Sequence, residues 1–195
     1  MRTIPLKDFF RNPEKTSYHI SPNGKFISYL APYNDRLNIF VQETTGSDAA
    51  KRITEATERD IYIYFWGNDN TIIYLRDNAG DENYHFYSVN IHTGINKDLT
   101  PFEGVRANLV DELEDFDSEI LIEMNKRNPE IFDVYRMNFE TGEMKMTAEN
   151  PGNISGWVTD HNGRIRAAIT TDGVNTSLLF RESEQDNWRT VITTN

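Results

Sequence analysis

Three Thr-Gly pairs recur along the chain at a constant spacing of 48 residues, at Thr45-Gly46, Thr93-Gly94 and Thr141-Gly142. The residues before each pair match at the same shift, as in the sets Ile39, Tyr87, Tyr135 and Val41, Val89, Met137. Three copies in register are hard to attribute to chance. A period of this length is typical of repeat architectures.

Each copy of the repeat is predicted to hold four short strands. A polar turn and an apolar run open every copy, for example Asn68-Asp69-Asn70 before residues 71–75, and this pattern is typical of a β-hairpin. A second hairpin then turns at the Thr-Gly pair, because Gly takes positive φ without steric cost. Four strands in roughly 45 to 50 residues are typical of a β-propeller blade. The sequence therefore predicts an all-β fold, with about four blades of four antiparallel strands that form an incomplete propeller.

The repeat divides the chain into an N-terminal arm over residues 1–15 and blades over about 16–59, 60–105, 106–151 and 152–195. Within the arm, residues 6–10 can form a helical turn that ends at Asn12-Pro13. No Pro-, Gly- or Ser-rich tract interrupts the blades. Nothing before Asn195 resembles a ring-closing strand, so we expect an open arc of a larger ring.

Charge and cysteine content exclude several classes of function. The 31 acidic and 20 basic residues give a formal net charge of -11, and this field repels phosphate backbones and anionic membrane surfaces. We therefore expect neither nucleic acid nor a membrane as a partner. The chain has no Cys, which excludes disulfides, thiolate metal sites and a Cys nucleophile. The opening residues lack the apolar region of a signal peptide, and no apolar stretch reaches membrane-spanning length, so we expect a cytoplasmic protein without a cofactor.

Several stretches carry a resemblance to a known family. The turn Ser21-Pro22-Asn23-Gly24-Lys25 is similar to the Ser-Pro-Asp-Gly-Lys turn of TolB-like propellers and of the propellers of prolyl oligopeptidase family serine peptidases. Residues 76–87, from Arg76 to Tyr87, resemble the second-blade motif of bacterial acylaminoacyl-peptidase or dipeptidyl-peptidase-like members of that family. Residues 125–136 are similar to their third blade. The resemblance covers almost the whole chain.

The resemblance implies a division of labour between two domains. In that family, an α/β-hydrolase domain follows the propeller and holds a Ser, Asp, His triad. This chain has no Gly-x-Ser-x-Gly nucleophile elbow, so no catalytic residue is assigned to it. The resemblance then implies the non-catalytic propeller portion of a serine peptidase for short peptides, gating access to a C-terminal α/β-hydrolase domain of the same polypeptide. The alternative is a TolB-like propeller scaffold that binds a protein partner without enzymatic activity.

Six of the nine residues from Asp111 to Glu119 are acidic. One interpretation is a carboxylate patch that holds the free amine of a peptide, as the resemblance to family exopeptidases implies, with Glu112 and Glu114 as substrate-binding residues. The other is a solvated hairpin whose apolar residues turn inward.

Arg127 is the third candidate, since an arginine at the central opening can clamp a peptide carboxylate through a bidentate contact. An ion pair with a nearby acid is the alternative for Arg127.

Asp77, Gly80, Asp81, Glu82 and Asn83 are interpreted as a structural motif. Hard oxygen ligands on a Gly-containing loop suit calcium, but their spacing does not match the EF-hand loop. We expect the two Asp side chains to bond nearby backbone amides and to fix the loop around Gly80. The four His residues lie in separate repeats without metal-ligand spacing, so no metal is assigned.

Overall fold

The computed structural model describes residues 5, 6, 9, 14–46 and 49–194, and within them sixteen β-strands follow one another along the chain. The strands are β1 (Thr16–Ile20), β2 (Phe26–Tyr33), β3 (Arg36–Glu43), β4 (Lys51–Arg52), β5 (Ile63–Asn68), β6 (Thr71–Arg76), β7 (His85–Asn90), β8 (Asn96–Asp98), β9 (Ala107–Asp111), β10 (Glu119–Asn128), β11 (Ile131–Asn138), β12 (Met144–Ala148), β13 (Ile154–Thr159), β14 (Ile165–Thr171), β15 (Thr176–Phe180) and β16 (Arg189–Thr194).

These strands pair into four antiparallel sheets, each made of four consecutive strands in chain order, which we number sheets 1 to 4. The first strands of adjacent sheets approach one another, β1 beside β5 and β9 beside β13. This arrangement confirms the prediction of an all-β fold built from four-stranded blades of an incomplete propeller. We call the end of the sheets that carries the turns between first and second strands the upper rim. The lower rim carries the turns between second and third strands.

The core lies between adjacent sheets, and the two inner sheets, 2 and 3, pack both of their faces against neighbours. In β6, four consecutive residues from Ile72 to Leu75 are buried. Successive side chains point to opposite faces of a strand. Ile72 and Tyr74 therefore pack with sheet 1 side chains, whereas Ile73 and Leu75 pack with sheet 3 side chains. A third cluster lies between sheets 3 and 4 and contains Leu113, Leu121, Val134 and Ile165.

The turns between third and fourth strands explain why the Thr-Gly pairs and the Asn residues before them recur in the sequence. Gly94 and Gly142 have φ of 72° and 82°, in the left-handed region that favours glycine. Asn90 and Asn138 end the preceding strands, and each side-chain oxygen accepts hydrogen bonds from the backbone N–H groups two and three residues further on. The repeated Asn and Gly therefore fix the same turn in two successive sheets.

The arm predicted over residues 1–15 lies mostly outside the described residues, as does Asn12-Pro13. Its described apolar side chains, Leu6 and Phe9, are exposed, and both residues have helical backbone. The N-terminal arm as a separate segment stays a prediction. No helix in the described part of the chain is long and apolar enough to cross a membrane.

Candidate functional site

A cleft of about 360 Å³ opens at the upper rim between sheets 3 and 4. The turn that follows β9 forms one wall, and the turn that follows β13 forms the other. Thr159 in β13 donates a hydrogen bond from Oγ1 to Oδ2 of Asp111 in β9, which joins the two walls at their base. We call this space the acidic cleft, and its lining residues are Asp111, Glu112, Leu113, Glu114, Asp115, Thr159, Asp160, His161 and Gly163.

Leu113 holds the acidic wall in place. Its side chain is buried in the cluster between sheets 3 and 4, and its φ of 52° lies in the left-handed region. That conformation costs about 1–3 kcal/mol for a residue with a side chain. The Asp111 carboxylate accepts a 2.9 Å hydrogen bond from the Leu113 N–H, and a Cβ at Gly163 would overlap the Leu113 side chain. Burying Leu113 turns Glu112 and Glu114 on either side of it towards the cleft.

Among the residues that the structure describes, the carboxylates of the acidic wall have no cationic partner. Burial, and then the charges of Glu114 and Asp111, raise the pKa of Glu112. Arg136 lies nearby, but it donates to Glu119 at 2.8 Å and to the carbonyl of Gly163 at 2.9 Å. Within residues 14–46 and 49–194, no basic side chain forms an ion pair with Glu112, Glu114 or Asp115. The acidic cleft is therefore suited to a small cationic group.

A second cleft of about 490 Å³ adjoins the acidic cleft at the upper rim. Glu114 lines both of them. Its other acidic lining residues are Asp69, Asp117 and Glu140, and they come from sheets 2 and 3. The negative surface thus continues from sheet 4 across the upper rim towards sheet 2.

Arg127 lies at the other end of the molecule. Arg127 is the last residue but one of β10, at the lower rim, whereas the acidic wall precedes β10 at the upper rim. At about 3.3 Å per residue, the length of β10 separates Arg127 from Glu112 and Glu114 by roughly 20 Å or more. The structure therefore does not bring the three candidate substrate-binding residues together.

The guanidinium of Arg127 is held by its own sheet. It donates two hydrogen bonds of 2.9 Å to the carboxylate of Asp133 and one of 2.9 Å to the carbonyl of Asn150. Burial alone would raise the pKa of Asp133, but the bonds from Arg127 and from the N–H of Asn150 lower it. Asp133 was missed by reasoning from the sequence. The sequence pattern that could have revealed it is an acidic residue between two apolar residues of a strand. A carboxylate buried in this way needs a hydrogen-bond partner.

The second-blade motif forms the longest turn between second and third strands, over residues 77–84 at the lower rim. Asp81 accepts hydrogen bonds from the N–H groups of Asn78 and Asn83, and both Gly80 and Glu82 have positive φ. Asp77 is buried and accepts a 3.2 Å hydrogen bond from Nε of Arg59, in the connection between sheets 1 and 2. Asp81 thus bonds the amides of its own loop, whereas Asp77 joins the loop to the connection between sheets 1 and 2.

No group of three or more His, Asp or Glu side chains that could hold a metal ion occurs in the part of the chain that the structure describes. The histidines lie apart, and His85 and His92 contact Asp98 and Asn70 of their own sheet. Trp157 and Trp188 pack together at the interface between sheets 3 and 4, with ring centroids 6.5 Å apart.

Four successive four-stranded sheets with adjacent first strands define the class of protein, which is a β-propeller segment. Solved propellers show the same fold. The chain matches TolB from Acinetobacter baumannii with a TM-score of 0.57 and 17% identity, over 92% of this chain and 44% of that one. It matches a prolyl endopeptidase with a TM-score of 0.64 and 8% identity, over 93% of this chain and 30% of that one.

Sequence comparison identifies the relatives. Dipeptidyl aminopeptidase BIII of Pseudoxanthomonas mexicana is 34% identical over 160 residues, which are 82% of this chain and 23% of the relative. Dipeptidyl peptidase family member 6 of Caenorhabditis elegans is 27% identical over 207 residues, 95% of this chain and 27% of the relative. No family model matches. The chain spans about a quarter of the length of these relatives, and its resemblance to the propeller part of prolyl oligopeptidase family peptidases is confirmed.

Proposed function

We propose that the chain is the propeller portion of a serine peptidase that cleaves short peptides, and that it gates access to an α/β-hydrolase domain of the same polypeptide. The observation that carries this proposal is the 34% identity to a dipeptidyl aminopeptidase over 82% of the chain. The hydrolase domain would supply the serine nucleophile and its histidine base. The propeller would supply the size limit and the polar contacts that select a peptide.

The acidic cleft gives that selection a chemical basis. A peptide with a free N-terminus carries an ammonium group, which needs carboxylate acceptors when it leaves bulk water. Glu112 and Glu114 flank the buried Leu113 and have no competing cation among the described residues. They are the proposed acceptors for the peptide amine. Arg127 keeps a structural role in this proposal, because Asp133 and Asn150 occupy its guanidinium.

The experiment compares substrates that differ only in the charge at the N-terminus. The reading frame is extended past residue 195, the longer protein is expressed, and it is assayed with dipeptidyl anilides and with their N-acylated forms. A variant that lacks the serine of the downstream elbow serves as the blank. Cleavage that depends on this serine and is absent from the 195-residue chain supports the peptidase.

Two substitutions then test the acidic cleft. Glu112→Gln and Glu114→Gln are expected to raise KM for the free-amine substrate about 10- to 100-fold, because a hydrogen bond between charged groups contributes about 1.5–3 kcal/mol. The N-acylated substrate should be unaffected. Glu130→Gln is the matched control, since Glu130 lies in the lower-rim turn of the same sheet. Equal effects on both substrates would remove the amine-binding role and leave the peptidase proposal standing.

A propeller scaffold that binds a protein partner is the second candidate, and the likeness to TolB over 92% of the chain favours it. A longer protein without a nucleophile elbow and without cleavage of any anilide would select this candidate.

A further inference from the structure

Two buried carboxylates at the lower rim differ in how many hydrogen bonds they accept. Asp133 accepts two bonds of 2.9 Å from the guanidinium of Arg127 and a third from the N–H of Asn150. Asp77 accepts a single bond of 3.2 Å, which runs from Nε of Arg59 to Oδ1. Its Oδ2 is buried and has no partner among the residues that the structure describes. The pair of Asp77 and Arg59 is therefore incomplete, because a buried carboxylate oxygen without a hydrogen bond is costly.

Nη2 of Arg181 is the other buried side-chain atom without a hydrogen-bond partner in the described part of the chain. The guanidinium of Arg181 lies over the ring of Trp188, with Cζ 4.3 Å from the ring centroid, so the ring stabilises its charge. An aromatic face cannot do the same for a carboxylate, because that face is itself negative. Oδ2 of Asp77 is thus the acceptor that still needs a donor.

Asp77 lies where two clefts meet at the lower rim, beside the connection between sheets 1 and 2. The clefts have volumes of about 420 and 300 Å³, and Glu58, Arg59 and Asp77 line both of them. Tyr62 and Tyr84 form an aromatic side of the larger cleft, with ring centroids 4.9 Å apart. Clefts of this size are typical of sites for small ligands.

Arg59 is held loosely on Asp77. Its side chain is 48% exposed, and one hydrogen bond holds it. Within residues 14–46 and 49–194, neither of its Nη groups has a hydrogen-bond or ionic partner. An exposed side chain with a single bond changes rotamer readily. A small shift of Arg59 towards solvent would place the Oδ2 acceptor of Asp77 and the free donors of Arg59 side by side in the clefts.

A ligand group that completes this pair must donate one hydrogen bond to Asp77 and accept one from Arg59. The charges of the pair cancel, so a charged ligand group would be attracted by one partner and repelled by the other. A primary carboxamide is neutral and carries a carbonyl oxygen beside an N–H on the same edge.

We propose that the two lower-rim clefts bind a primary carboxamide, the group at the end of Asn and Gln side chains. Its N–H donates to Oδ2 of Asp77, and its oxygen accepts from the Nη groups of Arg59. The site lies at the opposite rim from the acidic cleft, and it does not rest on the proposed function.

Nuclear magnetic resonance of the 195-residue chain tests the site through the Nε–H resonance of Arg59. The probes are glutamine, glutamate, ornithine, homoserine and norvaline, each capped as the N-acetyl methylamide so that only the side chain differs. The glutamine probe should shift this resonance and bind at least about 10-fold more tightly than the norvaline probe, because its carboxamide adds hydrogen bonds to charged groups.

Asp77→Asn should weaken binding of the glutamine probe about 10-fold or more, because a side-chain NH2 replaces one of the two acceptor oxygens. Glu58→Gln is the matched control, since Glu58 lines the same clefts and the substitution removes the same charge without altering the pair. This variant should bind the glutamine probe as the unchanged chain does. The comparison of probes on the unchanged chain decides the matter even where Asp77→Asn fails to fold.

Tighter binding of the glutamate or ornithine probe would overturn the inference in favour of a charged ligand. Equal binding of the homoserine and glutamine probes would overturn it in favour of a hydroxyl group. Equal binding of the glutamine and norvaline probes, or binding of neither, would mean that Oδ2 of Asp77 holds only water. The measurement needs no peptidase activity, so its result is independent of the proposed function.

Discussion

The substitutions Ile39→Ala and Leu178→Ala form a matched pair, because each removes three carbon atoms from the third strand of a sheet, in sheet 1 and sheet 4 respectively. Ile39 is fully buried, so its three carbons contribute about 2.4 kcal/mol at ~0.8 kcal/mol per buried carbon, and the cavity raises the cost to about 3–4 kcal/mol. Leu178 is 36% exposed, so about two thirds of the transfer free energy applies, and water fills the space that is left. The expected cost is about 1–1.5 kcal/mol.

Urea unfolding of the 195-residue chain, followed by far-UV circular dichroism, measures both free energies of unfolding. The Ile39→Ala variant should unfold at the lower urea concentration, with a difference of about 2 kcal/mol between the two variants and unchanged m-values. Equal losses within ~0.5 kcal/mol would refute the reasoning, since they would mean that Leu178 is as well covered as Ile39.

Three further substitutions test the interior and the acidic cleft. Gly67→Ala should destabilise by about 1–3 kcal/mol in the same unfolding assay, because the new Cβ would lie 2.9 Å from Phe139 and 3.0 Å from Ile73. Asp133→Asn should lower Tm by roughly 4–8 °C in calorimetry, since the bidentate contact of Arg127 loses its charged acceptor. Glu112→Gln should raise Tm at pH 7 and leave it unchanged at pH 3. The pKa of Glu112 is higher in the folded state than in the unfolded state. The folded state therefore loses stability as the pH rises from the usual pKa of a Glu side chain through the folded-state pKa.

Much of the fold could be predicted from the sequence, because the repeated residues are the ones that the turns require. Gly94 and Gly142 hold positive φ, and Asn90 and Asn138 bond the amides that follow them. These are local requirements that few other residues meet, so they survive in successive copies. Strand pairing then follows, because within each sheet every strand hydrogen-bonds to the next one in the chain.

The candidate site could be predicted only in part, because its geometry depends on which rim each residue reaches. Glu112 and Arg127 are 15 residues apart, and the intervening β10 carries them to opposite rims. The bidentate pair of Arg127 and Asp133 closes across a hairpin turn, and its alignment becomes visible only when β10 and β11 are in register. Charge and spacing alone give no such register.

The two charged segments singled out in the sequence are also the longest turns of their kind. The turn before β10 spans residues 112–118, against 21–25, 69–70 and 160–164 in the other sheets, and the turn over residues 77–84 compares with residues 34–35 in sheet 1. Longer turns cost little in closure entropy, so a repeat fold tolerates them and they are free to take on function. In the lower-rim turn, the carboxylate of Asp81 accepts hydrogen bonds from backbone N–H groups of the same turn, and these bonds stabilise its charge. The upper-rim turn instead places Glu112 beside the buried Leu113, where burial and neighbouring acids raise the pKa of Glu112. A turn that keeps carboxylates uncompensated at a cost in stability is the better place for a cationic ligand, and this difference favours the acidic cleft over the second-blade motif as the site of the peptide amine.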